Sequence, residues 1–245
     1  MLRVLTFLIM GLIASMALAE KVTLANGDWA PYMAKNLKQY GYMSHIVKEA
    51  FGAEGVEVSY VFLPWKRGFE DAKAGTYQGS LIWGFNEERA KDFLFSDPVA
   101  QLGTSLFHLK SKAFDWNKPE ELKGLKIGGV VGYAYGVEDL ETKGVLKILR
   151  IGSAEANYRK LSSGRIDIVL EDTEVGHGLV SKLGLADTIT AHPKTLKPRK
   201  YSVIISKKVA NAQHLLEAFN KGLKTIKSDG RYQKFLEASR RGEYK

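Results

Sequence analysis

The chain has 245 residues, no cysteine and a formal net charge of +9. That length suits one large domain or two ordinary ones. Without cysteine no disulfide can hold the fold, so the apolar core must suffice. Lys and Arg are scattered among Asp and Glu, and the densest basic run, "KTLKPRK" at 194–200, lacks interleaved aromatics. The charge therefore reads as solubility and a mild attraction for anions, not as a nucleic-acid footprint.

In chain order, Arg3 precedes an apolar run over 4–14, and Ala17-Leu18-Ala19 offers a small-x-small cleavage site before Glu20. A positive flank, a short apolar core and that site make residues 1–19 a secretory signal peptide. The run, interrupted by Gly11 and ended by Ser15, is short for a membrane span. With no cysteine after it, a lipidated first residue is excluded. The chain is expected to be exported.

Strand-like runs follow at 21–26 ("KVTLAN", closed by Asn26), 56–64, 79–83, 104–110, 125–132, 166–172 and 201–206. They are rich in Val, Ile, Leu and aromatics and are punctuated by Gly or Pro. Between them, Met43, Ile46, Val47, Ala50 and Phe51 recur at helix spacing, as do Leu215, Leu216, Phe219, Leu223 and Ile226. Asp229-Gly230 stops the latter helix. Strand and helix in alternation predict α/β layers.

An internal echo refines this picture. "EDAKAGTYQGSLIW" and "RKLSSGRIDIVLED" both run from a helix end through Gly75 or Gly164 into an apolar strand. Two such units suggest two lobes built alike; the plain alternative is that any α/β protein repeats them. Polar segments around 112–125 and 192–200 read as boundaries, the first opening a short helix capped by Asn117 with Glu120 three residues on. The expected division is a discontinuous first lobe, 20–111 plus 197–245, with a second lobe, 112–196, inserted into it.

"GDWAPY", "YQGSLIWGFNEERAKDFLFSDPV", "LKGLKIGGVVGYAYG", "LSSGRIDIVLEDTEVG" and "FNKGLKTIKSDGRYQKFL" stand in register along almost the whole chain after the leader. In that order they resemble the extracellular solute-binding proteins of family 3, periplasmic receptors of polar amino-acid ABC transporters. "EERAKDFLFSDPV" is the most specific piece. The resemblance implies a type II periplasmic-binding-protein-like α/β fold of two lobes joined by two crossing strands, with hinges near 107–109 and 203–205. It also implies a periplasmic monomer, an inner-membrane ABC permease as partner, a small-molecule ligand and no cofactor.

By the same resemblance, Arg89 holds a ligand α-carboxylate, for which the guanidinium fork is suited. The alternative is a surface pair with Glu88 or Asp92. Asp172, at the end of a strand, receives an α-ammonium group; the alternative is a cap of the following helix. Trp29 stacks over the ligand, Trp65 and Trp83 sit at strand ends that rim the cleft, Tyr133 closes from the other lobe, and Asn26 ends the first strand beside them. The chain departs from the amino-acid pattern at Gln78, Asn86 and Tyr133, which leaves the ligand class open. "GGVVGYAYG" (128–136) offers backbone N–H groups for an anion but lacks nucleotide-loop spacing.

The sequence is also compatible with two further functions. An enzyme on the same fold, dehydratase- or lyase-like, would use Glu171, Glu174, His177 and Asp172 as acids and bases; a solvated helix surface explains the same spacing. A ligand sensor for a signalling partner would share the binding chemistry. The five histidines show no metal-ligand spacing.

Overall fold

A computed structural model describes residues 20–245, so the signal-peptide expectation for 1–19 lies outside the described residues. Eleven strands form two sheets among these residues. The first sheet is built from β1 (Glu20–Asn26), β2 (Val56–Phe62), β3 (Gly79–Gly84), β4 (Phe93–Phe95), β5 (Ala100–Leu102) and β11 (Arg199–Ser206), in the order β2-β1-β3-β11-β4 with β5 also on β11. The second contains β6 (Thr104–Leu109), β7 (Ile127–Val130), β8 (Ile148–Ile151), β9 (Ile168–Asp172) and β10 (Ile189–Thr195), in the order β10-β6-β9-β7-β8. In each sheet parallel pairs, β1 with β2 and β3, or β7 with β8 and β9, meet an antiparallel crossing strand.

Helices cover both sheets: α1 (Tyr42–Gly52), α2 (Trp65–Lys73), α3 (Glu87–Asp92), α4 (Glu138–Thr142), α5 (Ala154–Ser162), α6 (Thr173–Lys182), α7 (Ala212–Ser228) and α8 (Arg231–Arg240). The apolar spacing in α1 and α7 works as the periodicity requires: Met43, Ile46, Val47, Ala50, Phe51, Leu215, Phe219, Leu223 and Ile226 are all buried in one core. Each of these side chains larger than alanine contributes about 1.5–3 kcal/mol relative to exposure. The two helices approach closely at Gly222, where a Cβ would lie 1.8 Å from the Ala50 carbonyl oxygen. Gly230 turns the chain between α7 and α8 at φ +85°.

All seven strands expected from the sequence occur. The short β4, β5 and β8 and the proline-bearing β10 were not expected. The echo glycines Gly75 and Gly164 both adopt left-handed φ, +85° and +69°, just after α2 and α5. The expected short helix near 119 is a 3₁₀ turn, Pro119–Leu122, and its capping differs. No side chain caps its start; instead Glu121 reaches back to accept from the Asn117 N–H at 2.8 Å.

The chain changes sheets at Gly103, between β5 and β6, and returns through 196–198, between β10 and β11. Each change lies a few residues before the hinge position the resemblance implied. The apolar clusters follow the sheets, except that Val175 of α6 joins the core of the first sheet and Leu179 and Tyr133 pack against clusters of both.

Candidate functional site

A cavity of ≈ 50 Å³ lies between the sheets; its walls include Trp29, Trp65, Trp83, Arg89 and Tyr133, together with Arg199 and Tyr201. A second, ≈ 230 Å³ cavity shares Trp83, Arg89 and Gly132 with it. Five of the seven residues singled out in the sequence thus meet in one place. Asn26 and Asp172 lie outside that lining.

The aromatic wall is assembled by backbone devices. Gly27 lets the Trp65 ring lie against the chain, since a Cβ there would be 2.5 Å from Trp65 Cε2. Opposite Val203 the β3–β11 register shifts between the Ser202–Trp83 and Ile204–Ser80 pairs, so β3 carries an extra residue. Ile82, within this bulge, has φ +56°. A β-branched residue adopts that conformation only at a cost of order 1–3 kcal/mol, and bulges of this kind re-aim side chains beside functional sites. Here Ile82, Trp83 and Gly84 all reach the cavity. The Trp83 indole is pinned by donating to Ser80 Oγ at 2.8 Å, and Trp65 stands edge-on to both Trp83 and Trp29.

Arg89 begins from the α3 cap: the Asn86 side chain accepts from the Arg89 N–H at 2.8 Å. Neither acid of the alternative pairing engages it, because Glu88 pairs with Lys91 and Asp92 with Lys73. The guanidinium instead lies over the Trp83 ring, 4.8 Å from its centroid, and donates to the Gly84 carbonyl at 2.8 Å. It also donates across to the Gly132 carbonyl at 3.2 Å. Burial, then the nearby charge of Arg199, lower its pKa to about 10, so it stays cationic at neutral pH.

Asp172 caps α6, with Oδ1 accepting from the Glu174 and Val175 N–H groups at 3.0 and 3.2 Å. The same oxygen accepts from the Tyr32 hydroxyl at 2.7 Å, a bond joining the two sheet-centred halves. Burial raises the Asp172 pKa, against these hydrogen bonds. Its neighbour Glu171 is also buried, accepts from the Asp172 N–H at 2.9 Å, and is pushed up to about 8 by burial. Asn26 is 2% exposed; it donates to Ser44 Oγ at 3.0 Å and accepts from the Gly27 N–H at 2.8 Å.

The 128–136 loop brings Gly132, Tyr133 and Ala134 to the cavity. Its last N–H groups are already used, since the Glu138 carboxylate accepts from Tyr135 N and Gly136 N. Glu174 and His177 are exposed on α6, outside the cavity lining. Among the described residues no group of three or more His, Cys, Asp or Glu is placed to hold a metal ion, and no helix is long and apolar enough to cross a membrane.

Arg199 and Tyr201, at the start of the returning strand β11, were not singled out in the sequence. Arg199 belongs to the basic run at 194–200, where nothing local separates it from solvated lysines.

The sequence model of the bacterial extracellular solute-binding proteins, family 3, matches residues 22–238. Among solved structures the chain is similar to a histidine kinase sensor domain with similarity to periplasmic binding proteins: TM-score 0.77, 18% identity, covering 89% of this chain and 96% of that one. It is similar to the ligand-binding core of GluR0 from Nostoc punctiforme in complex with L-glutamate: TM-score 0.71, 18% identity, 87% and 96% covered. It is also similar to the amino acid ABC transporter substrate-binding protein AbpA of Streptococcus pneumoniae bound to L-arginine: TM-score 0.72, 19% identity, 92% and 96% covered. At such identities these likenesses speak to the fold. No curated protein matches the chain.

Proposed function

Because the chain belongs to the bacterial extracellular solute-binding proteins of family 3, we propose that it is a periplasmic receptor whose two lobes close over a small carboxylate-bearing solute, an amino acid or a related acid, for delivery to an ABC permease. The observation that carries this reading is the position of Arg89. It lines an aromatic cavity between the sheets, forms no ion pair among the described residues, and already touches both sides through Gly84 and Gly132. A guanidinium fork in such a place matches a carboxylate.

Closure then has a cause. A solute held by groups from both halves binds the closed form better than the open one, and only that difference can shift the equilibrium. The ≈ 50 Å³ cavity has room for only about three or four water-sized groups, so a solute seated wholly within it requires the halves to part, while the adjoining ≈ 230 Å³ cavity leaves space beside Arg89. In an ammonium-bearing solute the partner for the second charge would be Asp172, which must first release Tyr32. We favour a binder over an enzyme on this fold because, of the four candidate acids and bases, Glu174 and His177 face solvent and the buried Glu171 and Asp172 lie outside the cavity lining.

A sensor for a signalling partner is the second reading, favoured by the likeness to a histidine kinase sensor domain. Binding chemistry is shared by the two, and the partner separates them. A thermal-shift screen against amino acids, organic acids, polyamines and short peptides tests the receptor itself. Ligand at about a hundred times its dissociation constant adds roughly 2.7 kcal/mol of stability. A shift with carboxylate-bearing solutes supports the reading, and a response confined to solutes without a carboxylate sinks it.

A further inference from the structure

We propose that Arg199 is a second anion-binding residue of the cleft, and that the solute is a small acid carrying two carboxylates, with no need of an ammonium group. The inference rests on the receptor reading above and names the chemistry of its ligand.

Arg89 and Arg199 converge on one residue, Gly84. Arg89 donates to the Gly84 carbonyl, while Arg199 Nη2 lies 2.1 Å from where a Gly84 Cβ would stand. On the other side, a Cβ on Gly136 would meet Arg199 Cδ at 2.9 Å. Two side-chain-free positions, one from each half, therefore seat the Arg199 side chain where the chain crosses back. The seat leaves Arg199 Nη1 buried with no hydrogen-bond partner, and no salt bridge reaches Arg89 or Arg199 among the described residues. A buried charged donor without a partner is costly. Two guanidiniums side by side add repulsion, which an entering anion relieves.

The surrounding groups select against other solutes. The Trp83 and Tyr201 rings already have Arg89 and Arg199 near their faces, at 4.8 and 5.6 Å, so a cationic solute would meet like charge there. Glu138 is the acid near Arg89, and its oxygens are engaged by the Tyr135 and Gly136 N–H groups. Asp172, which would receive an ammonium group, is held by Tyr32 and by the α6 N-terminus. Donors are therefore in excess and acceptors are occupied. A dicarboxylate supplies two acceptors of the right charge, one for each fork.

Calorimetric titration of the protein with glutarate, butyrate, L-glutamate, L-glutamine and L-arginine tests this. Glutarate should bind more tightly than butyrate, and L-glutamate than L-glutamine, by about 30-fold or more. Arg199→Gln should bring each pair to near equality. If that variant fails to fold, Gly84→Ala, which pushes the guanidinium aside, should narrow the same gaps. Preferential binding of L-arginine or L-glutamine would overturn the inference and leave the receptor standing. A gap that survives both substitutions would remove Arg199 from the site. Binding of none of the five would overturn the receptor reading along with the inference.

Discussion

The wall of the cleft built on the first sheet presents Arg89, Arg199 and three tryptophans, and no carboxylate pairs with either guanidinium among the described residues. In the second half the exposed Glu138 and the buried Glu171 and Asp172 each accept from the chain's own N–H or O–H groups. The fold thus satisfies its acids internally and leaves its cations facing the cavity. Rigid rings fix the first wall, whereas a glycine-bearing loop forms the second. On the proposed receptor reading, recognition belongs mainly to the first half and closure to the second.

The largest break in that asymmetry comes from Arg89→Ala. Removing this half-buried guanidinium from the cationic wall should weaken carboxylate-bearing solutes by about 2–5 kcal/mol, the usual cost of truncating one side of a buried charged pair. Calorimetric titration checks this; unchanged affinity would reduce Arg89 to an interlobe tie through Gly132. Next is Tyr32→Phe, which deletes the hydroxyl that bonds Asp172 across the halves. Hydrogen bonds to charged groups are worth about 1.5–3 kcal/mol. The ligand-free protein should therefore open, seen as a larger radius of gyration in solution scattering. If scattering does not change, the tie carries no part of closure.

How far this contrast was legible in the sequence depends on how local each signal is. The buried strands and the periodic helices α1 and α7 were visible because their apolar spacing is set by the element itself. The three-residue β4 and β5 are too short to show a period, and Pro193 in β10 argues against a strand. At the site, the tryptophans at strand ends and Arg89 in its motif were readable. Arg199 was not, because its role comes from two distant glycines, Gly84 and Gly136, that meet only in three dimensions. The bulge at Ile82 is equally silent, since nothing in "GSLIW" announces the register shift with β11. For Asp172 both meanings were open in the sequence, and the structure shows the helix cap.

Glu171 sharpens the comparison from the acidic side. Burial lifts its pKa to about 8, while in the unfolded chain it ionises near the ordinary value of about 4.3. Between these values the folded state holds the extra proton, so stability is greatest at the acidic end and falls as pH rises toward 8. The slope reaches about 1.4 kcal/mol per pH unit and levels off above that pKa. Denaturant melts of wild type and Glu171→Gln across this window check the sign: the variant should lose most of the slope. A wild type whose stability rises through the same range would mean that Glu171 is ionised in the folded protein.

The smallest expected effect separates structure from recognition within the cationic wall. Asn86 is one of the positions at which the chain departs from the amino-acid pattern, and its side chain accepts from the Arg89 N–H at the start of α3. Asn86→Ala should cost about 1 kcal/mol of stability, the usual value of a helix cap. Asn86→Ser retains an acceptor and should recover most of it. Affinity should fall only modestly in both, because the guanidinium is held independently by the Trp83 ring and the Gly84 carbonyl. A large affinity loss without a matching drop in melting temperature would mean that Asn86 meets the solute directly, and the cationic wall would then include a neutral, amide-bearing position.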